Sequence, residues 1–164
     1  MKLKRKLEID LKDFILNGKF DFVELGQTIE CLKNELSKPD DHLTIDCYTE
    51  LWRLGTIELH FFEKQLCAIF CDEFRQLKKS KTLNVEPWVI QNFKKLSLDK
   101  FLKILNKQRA DYSIKFNQQL NNVIVKINKS QVVLYFEPEL GSKNPEKQNP
   151  NHFLIKAFGL SNMY

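Results

Sequence analysis

The chain has 164 residues, a net charge of +5 and 43% hydrophobic side chains, 13 of them Phe; that apolar content excludes a disordered chain and the length suits a single domain. No stretch approaches the ~20 apolar residues of a membrane span, and the basic start through Lys6 runs into Glu8, Asp10, Lys12 and Asp13 where a secretory signal needs an unbroken apolar core, so a cytoplasmic protein without a membrane partner is expected. Charge is divided along the chain: residues 7–73 carry fifteen acidic and six basic side chains, net −9, whereas 75–109 carry ten basic and two acidic, net +8.

Leu7, Leu11, Phe14 and Ile15 recur at helical spacing and predict a first helix over about 7–16, with Asn17-Gly18 as its stop. Thr28 caps a second helix through Ile29, Leu32 and Leu36 that ends before Pro39. Leu43, Ile45 and Cys47, then Ile57, Leu59 and Phe61, alternate with polar residues as strands buried on one face. Phe62-Glu63-Lys64-Gln65 reads as a hairpin turn into a strand at 66–71 that is apolar on both sides and therefore central. A lysine-rich connector at 75–81 leads to Glu86-Pro87-Trp88, where Pro87 suits the first turn of a short helix.

The pattern then starts again. Ser97 precedes a helix bearing Leu98, Phe101, Leu102 and Leu105, and strands follow at 112–116, 123–127 and 132–136, with a turn at 128–130. After a loop at 141–150, residues 153–158 supply one more strand. The expected fold is α+β: two tandem helix-plus-three-strand units, about 7–74 and 96–140, joined by a basic connector at 75–95. They form one continuous or two abutting antiparallel sheets, with helices packed on one face and the other face free for a partner. Low identity between the halves leaves accidental convergence of two hairpins as the alternative.

Reactive groups are sparse. Cys31, Cys47, Cys67 and Cys71 sit in apolar patterns and read as small hydrophobes; Cys67 and Cys71, four apart on a strand, share a face, yet no Cys-x-x-Cys or adjacent histidine completes a metal set, and no cofactor is expected. His42, His60 and His152 belong to no nucleophile motif. His60 shares a strand face with Glu58, a pair suited to acid–base work only where a nucleophile or pocket converges on it. No Gly-x-Gly phosphate loop exists. An enzyme is therefore not expected.

Two charged regions remain. Arg75, Lys78, Lys79 and Lys81, followed by Trp88 and Lys94, Lys95, Lys100, Lys103 and Lys107, have the composition of a nucleic-acid surface, with Trp88 as the stacking ring. Against that, Trp88 lies between Pro87 and Val89-Ile90 as a core anchor would, lysines at 100, 103 and 107 are ordinary for an exposed helix face, and a pI near 8.9 falls short of a strongly basic domain. Glu30, Glu35, Asp40, Asp41, Asp46, Glu50, Glu58 and Glu63 give the first half an acidic character complementary to a basic protein. Trp52 reads as core, which leaves Arg53 on the opposite side of its strand and exposed.

The string Glu24-Leu25-Gly26-Gln27-Thr28, a helix, then Trp52-Arg53-Leu54-Gly55-Thr56-Ile57-Glu58-Leu59-His60-Phe61 with 66–72 resembles small bacterial immunity proteins of toxin systems. The helix-then-sheet repeat is also similar to the architecture of β-lactamase inhibitor proteins, although no matching inhibitory loop is seen and neither a secretory leader nor disulfide pairs are expected, so no functional residue carries over. The resemblance covers about 10–73. It implies a non-enzymatic protein-binding inhibitor that occludes a cognate protein toxin in the same cytoplasm. Glu30, Glu35, Arg53, Glu58 and His60 are the candidate partner contacts. The competing readings are a nucleic-acid-associated protein using 75–109, an enzyme whose site assembles from distant residues, and self-association of the acidic half against the basic half.

Overall fold

The computed structural model describes residues 4–77 and 80–163. It is α+β, as expected, but its first element corrects the helix at 7–16. Leu7–Asp10 is a strand, β1, and only Leu11–Asn17 is helical, α1. Leu7 and Ile9 are buried between exposed neighbours, a two-residue period hidden by the helical spacing of Leu7 and Leu11. The Asp10 carboxylate accepts from the N–H groups of Lys12 and Asp13, so one residue ends the strand and caps the helix. Gly18 then closes α1 in the left-handed conformation, φ 78°. Helix α2, Ile29–Glu35, starts where expected, with the Thr28 hydroxyl accepting from the Cys31 N–H.

Four strands follow rather than three: β2 (Asp41–Thr44), β3 (Thr49–Leu54), β4 (Ile57–Phe62) and β5 (Gln65–Cys71). Cys47 lies in the bend between β2 and β3, not on a strand. The expected connector at 75–95 contains strand β6, Leu83–Glu86, which pairs in parallel with β1 as a separate two-stranded sheet. The short helix after Pro87 is a 3₁₀ helix, Trp88–Lys95. Helix α3 is Leu98–Lys107, and strands β7 (Tyr112–Asn117), β8 (Asn122–Ile127), β9 (Val133–Glu137) and β10 (Leu154–Ser161) complete the chain. Ser97 stands at the start of α3, but its hydroxyl donates to the Asp99 carboxylate rather than serving a helix N–H.

Of the two arrangements left open by the sequence, the structure has one continuous eight-stranded sheet, in the order β2-β3-β4-β5-β10-β9-β8-β7 with every pair antiparallel. Each half is a helix followed by a four-strand meander, and the second extends to Ser161. The last strand of the chain sits at the centre, where it joins β5 to β9. The helices cover one face. Phe14 of α1 meets Phe158 of β10 edge-on at 5.8 Å, and Phe101 of α3 meets Phe136 of β9 at 5.5 Å. Trp52, Leu59, Ile69, Val125 and Ile155 complete a single core with Ile29 and Leu32 of α2, each fully buried side chain of this size contributing about 1.5–3 kcal/mol. Among the described residues no helix is long and apolar enough to cross a membrane.

Candidate functional site: the second face of the sheet

Residues directly opposite one another on paired strands share a face. With Trp52, Leu59 and Ile69 facing the helices, the other face carries one unbroken row across all eight strands: Asp41, Arg53, Glu58, Phe70, Gly159, Val133, Lys126 and Ser113. A second row holds Leu43, Leu51, His60, Ala68 and Ser161, and a third holds Ala157, Tyr135, Ile124 and Lys115. The first row is apolar in its middle and polar or charged at its ends, whereas the second row carries Leu43 and Leu51 on the β2–β3 flank, Leu43 being exposed. Phe70, Val133, Tyr135 and Ile124 are half-buried, in contrast to the fully buried opposite face.

A depression of about 320 Å³ lies over the β5–β10–β9 seam, lined by His60, Ala68, Phe70, Lys126, Val133 and Tyr135 among others. Gly159 shapes its floor. A Cβ built there would meet Phe70 Cδ2 at 3.1 Å and the Ile69 carbonyl oxygen at 3.3 Å, so the Phe70 ring lies against bare backbone. On one flank Arg53 Nη2 donates to Glu58 Oε1 at 3.0 Å, Arg53 Nη1 stands 3.9 Å from Asp41, and His60 Nε2 is 3.1 Å from Glu58 Oε2. Pairs this exposed contribute at most ~1 kcal/mol each; their effect is to fix the orientation of three polar side chains beside the apolar strip.

The His60–Glu58 pair has little to act with. Ser161, the hydroxyl in its row, lies two strand spacings away, ~10 Å, beyond hydrogen-bond reach. The Cys67 thiol donates to the His60 backbone carbonyl at 3.2 Å, not to the ring. A bulge in the β4–β5 pairing falls at Cys67, which has no partner in the β4 register and is half-buried. Cys71 is in the core, where burial pushes its thiol up to about 12. Among the described residues no group of His, Cys, Asp and Glu is placed to hold a metal ion.

The five candidate partner contacts divide between the two sides of the molecule. Arg53, Glu58 and His60 are neighbours on the open face. Glu30 and Glu35 ride on α2 in the helix layer, where Glu35 pairs with Arg5 at 3.9 Å. Several carboxylates of the acidic half are engaged within the chain. Asp40 accepts from the Gly55 N–H and the Thr82 hydroxyl, Glu50 meets His42 at 2.8 Å, and Asp46 accepts from the N–H groups of Tyr48 and Thr49, which hold its carboxyl below the usual range. Asp46 thus closes the β2–β3 turn, Glu50 pairs across strands β2 and β3, and Asp40 ties the β3–β4 turn to the segment before β6.

Arg75 and Lys81 are exposed in the loop after β5, while Lys78 and Lys79 lie outside the described residues. Arg75 and Lys94 line a depression of about 450 Å³, but Asp72, Glu73 and Glu139 line it too. Trp88 packs half-buried against the core, so its ring is not presented for stacking. Sequence reasoning missed Phe70, Gly159, Val133, Tyr135 and Lys126. The signal was present: 66–71 and 132–136 are apolar on both faces, which marks central strands but does not say whether the second face is covered.

A scan of family models and searches of curated proteins and of solved structures return no match to this chain.

Proposed function

We propose that this protein is a non-enzymatic binding protein that covers a protein partner with the open face of its sheet, and specifically that it is a cytoplasmic immunity protein occluding a bacterial toxin. The observation that carries the reading is the row from Asp41 to Ser113, with a half-buried aromatic and aliphatic centre between polar flanks. Stable interfaces have this anatomy, an apolar centre with a polar rim. Seven strand spacings make the face ~34 Å wide and a five-residue strand makes it ~17 Å tall. That projection, ~600 Å² before side-chain relief, approaches the ~800 Å² per partner of a standard complex. Phe70, Val133 and Tyr135 are the anchors, and Arg53 and Lys126 the rim. The resemblance of 10–73 to immunity proteins supplies the toxin as the partner.

The test is co-expression with the product of the adjacent reading frame, scored by host survival and co-purification. Val133→Glu places a charge in the centre of the face and is expected to abolish both, with an unchanged melting temperature as the folding control. Glu30→Lys with Glu35→Lys, on the far side, is expected to leave both intact. A complex that survives Val133→Glu, or that is lost only with the α2 pair, overturns the assignment of the open face. Neither rescue nor a complex, together with nucleic acid carried through purification in a salt-sensitive manner, turns the reading towards the 75–109 segment.

A further inference from the structure

The two outer edges of the sheet are not alike. Strand β2 is four residues long and carries Asp41 and His42, a short charged edge of the kind that resists pairing. Strand β7 is six residues long, and its outward row is apolar. The Asn128 N–H donates to the Asp111 carbonyl, so the residues in step with Asp111, namely Ser113 and Lys115, turn their backbone groups towards β8. Tyr112, Ile114 and Phe116 therefore direct N–H and C=O away from the sheet. Their side chains lie on the helix side, opposite Ile127, Val125 and Val123. Tyr112 is held against α3, its hydroxyl donating to Asn106 Oδ1 at 2.9 Å, whereas Ile114 and Phe116 are 49% and 45% exposed.

We propose that this edge is a self-association site, at which β7 of a second copy of the chain pairs antiparallel about a two-fold axis passing beside Ser113. In that register Tyr112 stands opposite Ile114 of the second copy, and each such pair exchanges two backbone hydrogen bonds. Asp111 stands opposite Lys115 of the second copy, on the open face, and symmetry makes every contact twice. Among the described residues neither Asp111 nor Lys115 has an ion-pair partner within its own chain.

The charges select both the occupant and the register. Centring the axis on Ile114 loses both ion pairs, and centring it on Lys115 sets two lysines face to face, which is unfavourable. A strand of unrelated sequence has no reason to supply an acid and a base four residues apart in the required order, whereas a second copy does so by symmetry. The result is a sixteen-stranded sheet whose two open faces are contiguous, and the site is independent of whatever those faces bind. One strand pair buries less than ~1,200 Å², so association is weak and concentration-dependent.

Sedimentation velocity over rising protein concentration is expected to show monomer giving way to dimer, and no further growth. Asp111→Lys sets like charges opposite one another and is expected to weaken dimerisation ~tenfold or more; Asp111→Lys with Lys115→Asp restores it. Both positions are exposed, so folding is not at stake. In a background with Cys31 and Cys47 changed to Ser, Ser113→Cys is expected to oxidise to a covalent dimer, since residues opposed at a non-hydrogen-bonded position have Cα atoms ~4.5 Å apart, within disulfide range. Lys115→Cys in that background is expected not to. A chain that stays monomeric at high micromolar concentration, a dimer indifferent to Asp111→Lys, or cross-linking at Lys115→Cys but not at Ser113→Cys would overturn the proposal.

Discussion

At the scale of single residues, environment separates side chains that the sequence leaves equivalent. The four cysteines divide by burial: Cys31 and Cys47 are exposed, Cys67 is half-buried and Cys71 is in the core. Maleimide treatment of the native protein at neutral pH is expected to modify Cys31 and Cys47 quickly, Cys67 slowly and Cys71 only on unfolding, as read by mass spectrometry. The same burial makes a prediction in pH. The Cys71 thiol ionises at about 12 when folded, against an ordinary value of 9.0. Below pH 9 both states hold the proton and nothing changes; between about 9 and 12 only the unfolded state releases it, so stability falls as pH rises. The urea midpoint is expected to fall less steeply over that window in Cys71→Val. Gly159 offers a residue-level test on the open face, because it follows ordinary strand geometry and only contact limits it. Gly159→Ala is expected to cost about 1 kcal/mol beside Phe70 and less in a Phe70→Ala background, a coupling that a double-mutant cycle measures.

At the scale of elements, legibility follows how local the forces are. Helix α2 and its Thr28 cap, the 63–64 turn and the β8–β9 hairpin rest on neighbours within a few residues, and the sequence shows them. Strand β1 is hidden because Leu7, Leu11 and Ile15 satisfy a helical period, while its partner β6 is more than seventy residues away. Strand β3 is legible only at Trp52 and Arg53, read on opposite sides of a strand; its full extent is hidden because Leu51-Trp52 puts apolar residues on both faces in succession, without the alternation that marks a half-buried strand. The open-face site was legible only in part: Arg53, Glu58 and His60 come from one hairpin, but Phe70, Gly159 and Val133 meet through pairings with β10 that no local pattern specifies. One contact between elements can be tested directly. The Ser130 hydroxyl, buried in the β8–β9 turn, donates to the Ile15 carbonyl at 2.6 Å and accepts from the Val132 N–H at 3.1 Å, tying α1 to the sheet. Ser130→Ala strands both groups away from water and is expected to cost about 1–3 kcal/mol in chemical denaturation. A cost below ~0.5 kcal/mol would mean that water replaces the hydroxyl there.

At the scale of the whole molecule, the position of β10 decides whether the halves are separate folding units. The first half ends at β5 and the second half's meander ends at β10, and the two terminal strands pair with each other along Cys71–Phe158, Phe70–Gly159, Ile69–Leu160 and Ala68–Ser161. Phe158 is fully buried and packs at 5.8 Å against both Phe14 of α1 and Phe74, so one side chain from the last strand touches elements of the first half. Remove it and the loss is expected to spread both ways. Phe158→Ala is expected to destabilise by about 3–5 kcal/mol, a large fraction of the 5–15 kcal/mol typical of a domain. If the seam makes the sheet cooperative, hydrogen-exchange protection falls by the same free energy in β4, two strands to one side, and in β8, two strands to the other. If the halves are independent units that merely abut, protection falls in β8 and stays in β4. The eight-strand row of the open face runs across this seam, so the outcome bears on function as well: a partner laid over Phe70, Gly159 and Val133 would span both halves and stabilise the pair as one body by binding only the folded state.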